Sequence, residues 1–178
     1  MTVQSPDSTP NYEQFAKFGI ILNRVLQPLS ERKRDGALTA IEQMRTYVRD
    51  VSDVFGKQCP QVLVIALHEI FLDNGFREKP IVHFKYEDTE GNGDSSEGRY
   101  STSWEDTARD ALRDQNDFGR AKSAVDALHG AVNTLRRVDG ISIQGAADIT
   151  VAVLGKELNP RPAPLYSFSA RVEPPSLA

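Results

Sequence analysis

Apolar residues in the first part of the chain recur at steps of three and four. Phe15, Phe18, Leu22, Val25 and Leu29 form one series, the spacing that lines one face of an α-helix. It predicts a first helix over 11–27. Asn11 suits its N-cap, and Pro28, which lacks a backbone donor and crowds the preceding turn, suits its end. Ile41, Met44, Val48, Val51 and Phe55 repeat the pattern. They predict a second helix that starts at Ser30 or Asp35 and stops at Gly56. Two successive helices with such stripes and a short link predict an antiparallel helical hairpin.

Residues 61–73 are apolar almost all round. The run Val62 to Leu67 alone reads equally well as a buried strand. Ile70, Phe71 and Leu72 make the stretch too long for one, and Pro60 and Asn74-Gly75 fit the start and stop of a helix. A central, buried third helix is expected.

The period then changes to two. Val82, Phe84 and Tyr86 alternate with Ile81, His83, Lys85 and Glu87, which predicts a strand over 81–87. Gly91, Gly93 and Gly98 mark 88–98 as a long turn, with 99–103 returning as a strand. Ser103 or Ser101 caps a helix that opens on Trp104. Trp104, Ala108, Ala111 and Phe118 keep one helical phase, and Ala121, Val125, Leu128, Val132 and Leu135 keep another. The slip beside Gly119 predicts one long helix bent there, or two pieces, ending at Asp139-Gly140. Alternation over 149–154 and 166–172, and a short stretch at 141–143, predict further strands. The sum is an α+β fold: an N-terminal helical hairpin, a buried third helix, an antiparallel sheet of about four strands, and one long bent helix between two strand pairs. Residues 1–10 and 173–178 are expected to be flexible tails around a single domain over 11–172.

Composition narrows the functional classes. The 178 residues are 39% hydrophobic and 26% charged, an ordinary globular balance with enough chain for a core. A net charge of −4 argues against a nucleic-acid partner. Cys59 is the only cysteine, so no intramolecular disulfide forms and a reducing compartment fits. The first ten residues carry no apolar leader, and the longest apolar run is far short of the roughly 20 residues a membrane span needs. A cytoplasmic protein without a membrane partner is expected.

Chemical signatures are sparse. Asp88, Glu90, Asn92, Gly93 and Asp94 mimic the opening of a calcium loop, but Arg99 stands where a closing glutamate belongs. No segment matches a metal cage, a phosphate loop, a dinucleotide fingerprint or a nucleophile elbow. No catalytic residue, metal or cofactor is therefore assigned, and whether the chain is an enzyme stays open. His68 and Glu69 interrupt the most apolar segment, where a polar pair must find partners. With His83, Tyr86 and Trp104 they would line the pocket of a small enzyme or ligand-binding protein; the plainer reading is the polar edge of a core helix. Arg24 and Arg32-Lys33-Arg34 form the densest basic cluster, flanked by Glu31 and Asp35 as at a solvated helix junction. The preferred reading is an acidic binding or assembly protein, a homodimer or other homo-oligomer. It would meet itself or another protein through the faces of Phe15, Phe18, Leu22, Val25, Ile41, Met44 and Val48, or through a C-terminal strand edge. Against it stands the simpler use of those faces as the chain's own core.

Overall fold

The structure is a computed structural model and describes residues 10–76, 81–91, 93–95, 103–161 and 166–173. In chain order the elements are α1 (Tyr12–Leu26), α2 (Glu31–Phe55), α3 (Cys59–Phe71), β1 (Ile81–Asp88), β2 (Gly93–Ser95), α4 (Trp104–Ala111), α5 (Gln115–Arg136), α6 (Ile143–Leu158) and β3 (Tyr166–Glu173). The fold is α+β, dominated by its helices.

Local chemistry sets the helix ends. The side chains of Asn11, Ser30, Ser103 and Ser142 accept from the backbone N–H three residues on, at Gln14, Lys33, Asp106 and Gly145. Asp114 accepts from Asn116 at the start of α5. Each such cap satisfies an orphan donor and contributes about 1 kcal/mol. Gly56 closes α2 with a positive φ of 57°, a conformation that costs glycine little.

The core lies between α2, α3, α5 and α6. The long helix α2 packs on α5 and α6. Lys33 near its start reaches Asp139, just past the end of α5, so α2 and α5 run antiparallel. In α3 only Gln61 and Glu69 are half-exposed; the other positions are buried. Helix α1 lies antiparallel on α6. Val25 approaches Gly145 at one end and Gln14 approaches Gly155 at the other, where an added Cβ would come within 3.3 Å and 2.8 Å of those side chains. The two buried glycines let the helices approach closely.

The sheet has the order β2-β1-β3, antiparallel throughout. Phe84 pairs with Ala170 and Tyr86 with Phe168, so one face is apolar. That face rests on α3, where the Phe84 and Phe71 rings stand 5.0 Å apart. Strand alternation puts His83, Lys85 and Glu87 on the other face, opposite Arg171, Ser169 and Ser167. The outer edge of β3 is held by α6. Asn159 exchanges two hydrogen bonds with the Tyr166 backbone, at 2.6 and 2.7 Å, and Gln144 accepts from the Val172 N–H.

Several expectations are corrected. α1 and α2 are not a hairpin pair, because the inner face of α1 finds the small-residue face of α6. The sheet has three described strands rather than about four. Residues 149–154, expected as a strand, lie inside α6, and Ser142, expected within a short strand, is its N-cap. The β-branched residues Ile149, Thr150, Val151 and Val153 suggest β locally, but a helix buried nearly all round loses its 3.6 period, and tertiary packing overrides propensity. Of the two readings of 104–136, two helical pieces rather than one bent helix are found, α4 and α5; the break lies at 112–114, before the Asp114 cap, and not beside Gly119, which is inside α5. The second strand is Gly93–Ser95, inside the expected turn, while 99–102 lie outside the described residues. So do 1–9 and 174–178, which make up most of the two expected tails.

Candidate functional site

The expected ligand residues do not converge. Glu69 and Trp104 meet: Glu69 Oε1 accepts from the Trp104 N–H at 3.1 Å. Glu69 thus adds a second cap to α4, beside Ser103. Burial pushes its carboxyl above the ordinary glutamate range, and the Trp104 N–H pulls partly back. The Trp104 ring is buried and stacks on Phe118, which also carries the Arg109 guanidinium over its face at 5.0 Å. His68 is 6% exposed within α3. His83 points to the sheet face opposite Phe84, away from α3. Glu69 and Trp104 therefore join α3 to α4, and His83 stands on another side of the sheet. Cys59 is buried, its thiol pushed up to about 12 by desolvation, so it is not a reactive thiolate at neutral pH. Among the described residues, no His, Cys, Asp and Glu group could hold a metal ion.

Three of the four residues of the basic cluster are engaged within the fold. Arg34 donates to the carbonyls of Leu26, Gln27 and Leu29 and so caps the end of α1. Lys33 pairs with Asp139 and Arg24 with Asp148.

Beneath α1 lies a denser ionic cluster, which the sequence reading missed because its members are far apart in the chain. The Glu157 side chain, 8% exposed, binds Arg45 and Arg49 at 2.6 Å each. Burial raises its pKa, but the hydrogen bonds from the two guanidinium groups outweigh this and leave it below the ordinary carboxylate range. Lys156 places its ammonium 4.4 Å from the Phe18 ring centre and 4.6 Å from that of Phe15. Desolvation, and then Arg45, lower its affinity for a proton. Arg45 lies over Phe18 as well. These contacts lock the inner side of α1 to α2 and α6.

The expected interaction residues are mostly occupied by the protein itself. Ile41, Met44, Val48 and Phe18 are buried, and Leu22 and Val25 are half-buried against the core. Phe15 remains 47% exposed. Two residues outside that stripe join it at the surface, Tyr12 at 70% and Ile20 at 67%. Ala16 and Gly19 between them are also exposed. The signal was in the sequence: Tyr12, Ala16 and Ile20 follow one another at i, i+4, i+8, a second apolar row on the same helix.

A groove of about 700 Å³ separates α2 from the start of α5, walled by Tyr47, Asp50, Val54, Asn116, Arg120 and Ser123 among others. Its lining is mixed, and Arg120 already faces Asp117 at 3.8 Å. A smaller groove of about 340 Å³ lies between α3 and α4, beside Gln61 and Asp110. Neither is lined by His68, Glu69, His83 or Trp104. No described helix is long and apolar enough to cross a membrane. In comparisons with known proteins, no family model, curated protein or solved structure matches the chain significantly.

Proposed function

We propose that this chain is a binding module that presents the outer side of α1 to a protein partner. One observation carries the reading. Four large apolar side chains are exposed among the described residues, and three of them, Tyr12, Phe15 and Ile20, stand on α1. Scattered apolar residues need no explanation, but a contiguous group marks a surface that something else covers. The opposite side of α1 is fixed by Phe18, Leu26 and the Lys156 and Arg45 contacts, so the row is held on a rigid element. Strand addition has less support, because α6 engages the outer edge of β3 at both Tyr166 and Val172. A ligand site at His68 and Glu69 has less still, since Glu69 is committed to the Trp104 N–H.

The experiment is site-specific photo-cross-linking. A photoreactive residue in place of Tyr12 is expected to give a discrete covalent adduct in cell extract, and Ile20→Asp in the same chain is expected to abolish it. The same group in place of Thr134, exposed on α5, is expected to give none. No adduct from position 12, or equal adducts from both positions, would overturn the reading.

A further inference from the structure

We infer that the partner is a second copy of this chain, its α1 packed antiparallel on the first about a two-fold axis beside Ala16. The inference rests on the reading of α1 as the contact surface. Tyr12, Ala16 and Ile20 form one exposed row, large, small and large. A two-fold axis at the middle of the row reverses the second helix. Tyr12 then meets the partner's Ile20, Ile20 meets the partner's Tyr12, and Ala16 meets its own copy. The small residue at the centre lets the backbones approach, and the exposed Gly19 beside it adds no obstruction: a Cβ there would touch nothing within 4 Å.

Charge is complementary in the same arrangement. Glu13 and Lys17 occupy one flank of the row and pair within the helix at 3.3 Å. A two-fold axis lying in the interface keeps that flank on the same side but reverses its order. Each Glu13 thus comes beside the partner's Lys17, and each Lys17 beside the partner's Glu13. A parallel pairing would set this charged flank against the Phe15 side, align the two helix dipoles and stack Tyr12 on its copy. Self-complementarity of one patch is what an isologous dimer requires. An aromatic side chain buries roughly 150–250 Å² at most. The row therefore provides less than the roughly 800 Å² per partner of a standard stable interface, and dissociation in the micromolar range is expected.

The test uses the purified chain. Under mild oxidation Ala16→Cys is expected to yield a disulfide-linked dimer, because only a residue at the axis meets its own copy. Thr39→Cys, on the exposed side of α2, is expected to yield none, and the buried Cys59 does not compete. In sedimentation, Lys17→Glu is expected to weaken self-association about tenfold by setting like charges together. The exchanged pair Glu13→Lys with Lys17→Glu is expected to restore it. A monomer at every concentration, or a dimer indifferent to both Ala16→Cys oxidation and Lys17→Glu, overturns the self-pairing. If the purified chain is monomeric while the photo-adduct at position 12 has the mass of a different protein, the self-pairing fails and the contact surface stands. If both signals are missing, both readings fail.

Discussion

Glu157→Ala is expected to lower the unfolding free energy by about 2 kcal/mol, because it removes the buried partner of the partly buried Arg45 and leaves it only the exposed Glu42, at 2.8 Å. Arg45 is 18% exposed and Arg49 52%, so Arg45 bears most of the loss while Arg49 turns to water. Glu157→Gln keeps part of the hydrogen bonding and is expected to cost less. The effect depends on pH. Glu157 titrates below the ordinary range in the folded chain, so its contribution is complete above the unfolded-state value and fades as pH falls through the depressed one. Glu69 works in the opposite sense: its raised value means that acid relieves a cost of folding. Urea unfolding of the native chain and of Glu157→Gln across the acidic range separates the two, since the variant should lose only the Glu157 part of the slope. Equal slopes, or an unchanged stability for Glu157→Ala, would contradict the ionic lock beneath α1.

Phe84→Ala is expected to cost about 4 kcal/mol, within the range for emptying a buried aromatic site. Phe84 is 1% exposed and meets Phe71, the last residue of α3. It joins the sheet to the central helix, so its loss should also loosen the amide protection of β1 and β3 before that of α2 and α5. Phe168 lies on the same face but is half-exposed, and Phe168→Ala should cost distinctly less. Equal losses at the two positions would mean that the sheet is not seated on α3 through Phe84.

Wherever one face of an element meets water, its period was legible in the sequence. The α2 stripe from Ile41 to Phe55 and the β1 and β3 alternations mark such half-buried elements. So do the cap at Asn11 and the serine cap that opens α4, which act through local chemistry. Legibility fails where burial is nearly complete. In α6 only a few positions face out, and the short alternation from Ile149 to Leu154 imitates a strand. The slip of apolar phase between Phe118 and Ala121 points to a break beside Gly119, whereas the break lies at 112–114, where the Asp114 side chain caps α5. Tertiary partnership was illegible. Nothing local says that α1 would choose α6, although Gly145 and Gly155 supply the small surface that explains it. At the candidate surface, Phe15 stood in the expected row and Tyr12 and Ile20 did not. An outer apolar row on an amphipathic helix is masked by the stronger inner one.

The central claim is that α1 keeps one side in the protein interior and turns a second apolar row outward. Hydroxyl-radical footprinting of the purified chain tests it most directly. At high dilution Tyr12 and Phe15 should be oxidised rapidly while Phe18 and Phe84 stay protected, and raising the concentration should protect Tyr12 but not alter Phe18. Oxidation of Phe18 as fast as Tyr12, or protection of Tyr12 even at the greatest dilution, would contradict it.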